Sequence, residues 1–237
     1  NKLLKKNPAL RLSAFVAASG SAGTLGAGDW LKEKHGSSIV AVEALECPTM
    51  LYNGYGEHNI QGIGDKHVPL IHNVMNSDFV VGVSDQATNN LNLIFNTDIG
   101  QNYLKSKKGL KDVFVERLPE FGFSSIANII ASIKLAKYMN LGPEEAIITV
   151  ATDGAELYLT ELEKTKKEFH GIYDEISCAE IYGQFLKGIT TDHTLELSQK
   201  EKERIFNLGY YTWVEQQGID LNHFEERRDQ QFWLDHY

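Results

Sequence analysis

Leu12-Ser13-Ala14-Phe15-Val16-Ala17-Ala18 runs directly into Ser19-Gly20-Ser21-Ala22-Gly23-Thr24, and residues 25–34 continue with helical composition. The apolar run reads as a buried strand, the small residues as a tight turn and the stretch behind them as a helix. Small side chains let a backbone come close to an anion, and the unpaired N–H groups at a helix start can donate to it. With the Ser21 and Thr24 hydroxyls beside them, Gly20, Ala22 and Gly23 make this a phosphate-cradling turn. A turn that merely packs helix on sheet is the blander reading.

Outward from that turn, apolar strand-like runs alternate with helical spacing. Strands are expected at 12–18, 38–44, 78–83, 112–116 and 146–151, and helices at 24–34, 85–96 and 124–139. Strands that are apolar on both faces and alternate with helices predict an α/β fold, a mostly parallel open sheet with flanking helices. Residues 1–165 read as that α/β domain and 166–237 as a helical, aromatic-rich C-terminal extension. In the extension, Ser198 followed by Glu201 fits a capping box. Tyr210, Tyr211, Trp213, Phe224, Phe232 and Trp233 supply apolar area suited to packing on the same domain or on another subunit. The basic run 105–111 reads as an exposed face.

Composition excludes several classes. With 32 acidic against 23 basic residues the formal charge is −9, which argues against nucleic-acid or anionic-membrane partners. Two distant cysteines, Cys47 and Cys178, suggest reduced thiols with neither a disulfide framework nor a structural metal site. No apolar run approaches the ~20 residues of a membrane span and no signal peptide is visible, so a cytoplasmic enzyme is expected. The chain starts at Asn1 rather than Met and enters its first strand almost at once, which suggests a segment upstream.

Three chemistries compete for the turn. A dinucleotide fingerprint would need Gly-x-Gly-x-x-Gly, whereas the glycines fall at 20, 23, 26 and 28, although Glu43 stands where a ribose-binding acid would. A serine hydrolase would need Gly-x-Ser-x-Gly, and Ser19 replaces the first glycine before Ser21. The third is the phosphate of pyridoxal 5′-phosphate. Gly56-Glu57-His58-Asn59-Ile60-Gln61-Gly62-Ile63-Gly64 resembles the His-Lys-Ile-Gln-Gly-Ile-Gly stretch of the cysteine synthase and cystathionine β-synthase family, the fold type II pyridoxal phosphate enzymes. Residues 38–46 and 78–85, the latter ending Val83-Ser84-Asp85, resemble that family's next strands. Phe121-Gly122-Phe123-Ser124-Ser125 resembles the turn beside the cofactor ring, and residues 148–159, with Thr152-Asp153-Gly154, resemble the segment that meets the ring nitrogen. The five segments occur in the family's order over residues 10–165.

The resemblance implies a pyridoxal phosphate-dependent amino-acid lyase or β-replacement enzyme. It assigns Gly20, Ser21, Ala22, Gly23 and Thr24 to the cofactor phosphate, Gly122 and Ser124 to the ring, and Thr152 and Asp153 to the ring nitrogen. Gln61, Gly62 and His58 fall on the substrate side, and no metal is implied. The family's serine at the ring nitrogen falls on Gly154; Asp153 is either its replacement or the N-cap of a helix starting near Ala155. Asp65, Lys66 and His67 replace small and apolar residues common after the motif. The family's Schiff-base lysine precedes the phosphate turn by more than Lys2, Lys5 or Lys6 do. The expectation is therefore a C-terminal part of a longer, homodimeric enzyme, inactive without that lysine. A non-catalytic subunit or interaction domain that keeps the fold is the alternative.

Overall fold

The computed structural model describes residues 6–64 and 66–236; Lys2, Lys5 and Asp65 lie outside them. Strands β1 (Arg11–Ala18), β2 (Ser38–Ala44), β3 (Phe79–Val83), β4 (Glu145–Thr149) and β5 (Thr194–Glu196) form one sheet in the order β4-β1-β2-β3-β5. Its first four strands are parallel, with Ala14 opposite Ser38 and Val40 opposite Phe79, and β5 pairs antiparallel to β3. The principal helices are α1 (Gly23–His35), α2 (Asp85–Asn96), α3 (Asp98–Lys108), α4 (Phe123–Tyr138), α5 (Glu175–Tyr182) and α6 (Gln199–Tyr210).

Alternation along the strands divides the core into two layers. Ala14, Val16, Val40, Val42 and Val81 share a cluster with Phe123, Ile126 and Ile130 of α4 and Leu91 and Ile94 of α2. Phe15, Ala17, Ile39, Ala41 and Val80 join Leu25 of α1 with Ile205 and Phe206 of α6 on the opposite face. Covering both faces explains why these strands carry almost no polar residue. Asp78 stands just before β3, where its carboxylate accepts from Ile39 N–H at 2.8 Å and pairs with Lys32 at 2.7 Å. It thereby joins α1, β2 and β3.

Two sequence expectations are corrected. Residues 112–116 form no strand; Asp112–Val115 is a single helical turn, with Val115 buried and Val113 and Phe114 exposed. A run of three apolar residues is too short to distinguish the two states. The last parallel strand stops at Thr149, so Val150 and Thr152 leave the sheet.

The segment 166–236 is mainly helical and also returns β5 to the sheet. Cys178 and Ile181 enter the α4-side cluster, and Phe224 packs on Phe206 with ring centroids 4.7 Å apart. Trp213 Nε1 donates to the Val68 carbonyl at 2.8 Å. Ser198 caps α6 by accepting from Glu201 N–H, but the Glu201 carboxylate turns forward to Arg204, so the reciprocal half of a capping box is not made. Cys47 and Cys178 are both buried free thiols. In the basic run, Lys105 pairs with Asp112 and Lys107 with Glu175. Among the described residues no helix is long and apolar enough to cross a membrane.

Candidate functional site

From β1 the chain moves to β2 and β3 on one side, then returns through α4 to place β4 on the other side of β1. Such a reversal opens a crevice beyond the carboxyl ends of the strands, the usual ligand position in doubly wound sheets. A cavity of about 300 Å³ lies there, beyond β1 and β4. Ala17, Ala18, Gly20, Ser21, Ala22, Gly23 and Thr24 line it from the turn, with Gln61, Gly62 and Ile63 from the loop after β2. Ser124 and Asn128 of α4 and Val150, Thr152 and Asp153 after β4 complete the wall.

The turn is built for close approach. Ser19 N–H donates to the Val42 carbonyl at 3.0 Å, and the Ser19 carbonyl accepts from Gly64 N–H at 2.9 Å, tying turn and loop together. A Cβ at Gly20 would stand 2.9 Å from the Gly62 carbonyl oxygen, so glycine is required for this contact. Ala22 adopts the left-handed conformation at φ 68°, which costs a non-glycine residue about 1 kcal/mol. No side chain caps α1 and its first turn holds no acidic residue. Its start therefore offers Gly23 and Thr24 N–H groups and the positive end of the helix dipole to an anion. These features fit a phosphate.

The loop carrying Gln61 and Gly62 is anchored from below. The Asp85 carboxylate, at the start of α2, accepts from Asn59 N–H at 2.6 Å and Ile60 N–H at 3.1 Å, and the Ile60 side chain is fully buried. Glu46 accepts in turn from Asp85 N–H at 3.0 Å. Burial holds the Glu46 carboxyl above its ordinary pKa. Gln61 and Gly62 are left exposed at the cavity, whereas His58 does not line it and packs instead against Gly64. Lys66 and His67 are exposed beyond the loop, and His67 Nδ1 lies 3.2 Å from the Thr212 hydroxyl.

On the β4 side, the Thr152 and Ser124 hydroxyls lie 3.0 Å apart. Gly122 stays behind the wall, where its N–H donates to the Asp153 carbonyl at 2.9 Å. The Tyr158 hydroxyl donates to Asp153 Oδ2. Burial, and then that hydrogen bond, push the phenol well above its ordinary pKa. Asp153 does not cap the turn Ala155–Tyr158, whose N-cap is Gly154 with no side-chain hydrogen bond. Asp153 Oδ1 and Asn128 Oδ1 are buried with no hydrogen-bond partner among the described residues. Asn128 Nδ2 is used by the Val150 carbonyl at 3.0 Å. Sequence reasoning passed over Asn128 and Tyr158. Asn128 lies four residues after Ser124 on one helix face and was legible by that spacing; Tyr158 carried no such signal.

Glu43 serves a different purpose from the ribose contact considered above. It is 3% exposed, and its carboxylate accepts from Met50 N–H at 2.9 Å and Leu51 N–H at 2.8 Å. Both amides belong to the one-turn helix Thr49–Tyr52. No histidine lines the cavity among the described residues, so Ser21 has no base beside it there. Nor do the described residues contain a His, Cys, Asp and Glu cluster able to hold a metal.

A turn rich in small residues at the switch point of a doubly covered parallel sheet thus faces a wall of hydroxyls and one carboxylate across a single cavity. No family model matches the chain. It is 36% identical over 152 residues to cysteine synthase B of Campylobacter jejuni, a match covering 63% of this chain and 43% of that protein. The crystal structure of cysteine synthase from Entamoeba histolytica superposes with a TM-score of 0.52 at 25% identity, over 79% of this chain and 48% of that one. O-acetylserine sulfhydrylase isoform 3 of the same organism shares the fold, with a TM-score of 0.53 at 24% identity over 78% of this chain and 49% of that one. Over this region the chain is a homologue of cysteine synthase, and it shares the fold of the type II pyridoxal phosphate-dependent enzymes. It spans about half the length of the relatives it matches.

Proposed function

We propose that this chain supplies the phosphate cradle and the ring-nitrogen side of the cofactor site in a pyridoxal phosphate-dependent amino-acid lyase or β-replacement enzyme. The observation that carries this reading is the cavity itself. The turn Gly20 to Thr24, the Gln61-Gly62 loop, Ser124 and the Thr152-Asp153 segment are remote in sequence and line one wall-to-wall space of about 300 Å³, near the lower end of small-molecule sites.

When bound, pyridoxal 5′-phosphate supplies an electron sink for reactions at the amino acid's α-carbon. The chain's own contribution is binding and orientation. N–H groups at the start of α1 and the Ser21 and Thr24 hydroxyls donate to the phosphate, with Gly20 letting the backbone approach. Ala17, Ile63 and Val150 give the cavity apolar wall that excludes water from the ring. The paired Ser124 and Thr152 hydroxyls fix polar groups along its edge. Gln61, exposed on the open side, is placed to donate to the amino acid's carboxylate.

The test compares pyridoxal 5′-phosphate with pyridoxal in equilibrium titrations of the purified protein. A cradle that holds the phosphate favours the phosphorylated form about 10-fold or more, and inorganic phosphate competes with it. Equal affinity for the two, or no competition by phosphate, refutes the proposal.

A further inference from the structure

We infer that Asp153, oriented by Tyr158, is an anionic partner for a protonated ring nitrogen, so that this site holds its ring as a pyridinium. The inference rests on the cofactor reading above and adds to it the charge state of the bound ring and a positioning residue.

Asp153 is the one ionisable side chain among the described residues that line the cavity. The phosphate end of a ligand meets the positive start of α1. A second pole of opposite charge answers Asp153. Gly154, where the resemblance places a serine, offers no hydroxyl, and Asp153 is the charged group at this end of the wall, next to the paired Thr152 and Ser124 hydroxyls.

Hydrogen-bond polarity decides the charge state. A hydroxyl can donate to a neutral pyridine nitrogen, whereas an ionised carboxylate only accepts. A neutral ring nitrogen beside Asp153 would set two acceptors against each other; an N–H⁺ satisfies both. Asp153 Oδ1 is buried beside Gly122 with no donor among the described residues, a state that costs free energy.

The carboxylate is held firmly. Tyr158 is 3% exposed, its ring lies against Phe123 with centroids 4.6 Å apart, and its hydroxyl donates to Oδ2. The phenol's raised pKa keeps that proton in place. Any Cβ at Gly122 would collide with Asp153 Oδ1 and stand 2.7 Å from the Tyr158 ring, so glycine there makes room for the pair.

Pyridoxine 5′-phosphate labelled with ¹⁵N in the ring is the probe, because it binds without a lysine. Its nitrogen chemical shift is followed against pH on the full chain and on Asp153→Asn. The bound ring should stay protonated to a pH about one unit or more higher in the unaltered protein, a tenfold change in proton affinity. A second measurement needs no substitution at Asp153: the analogue with C–H in place of the ring nitrogen should bind the unaltered protein about 10-fold or more weakly than pyridoxine 5′-phosphate. Tyr158→Phe should shrink that preference while inorganic phosphate binds as before, which a merely structural role for Tyr158 would not produce. Matching pH midpoints in the two proteins, or equal affinity for the two ring analogues, with phosphate still competing, overturns the inference and leaves the cofactor reading intact. Failure of pyridoxine 5′-phosphate to bind at all overturns both.

Discussion

Replacing Glu43 with glutamine should change the shape of the protein's stability against pH. Burial pushes the Glu43 carboxyl from the ordinary 4.5 up to about 7, although N–H bonds from Met50 and Leu51 and the Arg204 charge pull the other way. The folded state therefore binds this proton more tightly than the unfolded chain does. Stability linked to Glu43 is fully present below about pH 4.5 and is lost as pH rises through about 7. Integrating the two titrations gives a loss of about 2.5 kcal/mol between pH 5 and pH 8. A glutamine amide cannot ionise, and its oxygen still accepts one of the two N–H groups, so the variant keeps a pH-independent offset. Urea unfolding of both proteins at pH 5, 6, 7 and 8 reads the difference directly. The free energy of Glu43→Gln minus that of the unaltered protein should climb by about 2.5 kcal/mol across the series. A difference that stays constant within about 0.5 kcal/mol would mean that the carboxyl titrates normally, and the account of its burial would be wrong.

Gly20→Ala places a Cβ 2.9 Å from the Gly62 carbonyl oxygen and must push turn and loop apart, so affinity for inorganic phosphate should fall about 10-fold or more with little change in thermal midpoint. Phosphate titration by calorimetry checks this, and unchanged affinity counts against the cradle. Asp85→Ala leaves the Asn59 and Ile60 amides without their acceptor and should lower unfolding free energy by about 2–3 kcal/mol. The matching denaturation series would contradict the anchor if the loss stayed below about 0.5 kcal/mol.

Three of the five strands were legible because parallel strands buried on both faces must be nearly all apolar, as Phe15 to Ala18 and Val80 to Val83 are; β4, an unburied edge strand, was legible from the apolar run that begins at Ala146. β5 was not: Thr194, Leu195 and Glu196 pair on one edge only and are not buried, so no pattern separates them from a loop. The run around Val113 to Val115 misled for the converse reason, being apolar where the structure buries Val115 alone. Of the cavity's residues, the turn Gly20 to Thr24 was legible from its small and hydroxyl side chains, whereas Gln61, Gly62, Ser124, Thr152 and Asp153 were reached only through the family resemblance. His58 shared the motif with Gln61 yet turns toward Gly64, because facing depends on the loop's path and not on spacing. Tyr158 acquires its importance only once the turn Ala155–Tyr158 folds back on Asp153.

Asn59 and Ile60 belong to no helix or strand, yet their amides end on a carboxylate that also begins α2. Hydrogen exchange at these two positions is thereby coupled to fraying of the first turn of α2, since neither amide reaches solvent while Asp85 holds it. The clock for loop opening beside Gln61 accordingly runs at the tempo of a helix end, slower than a free surface loop.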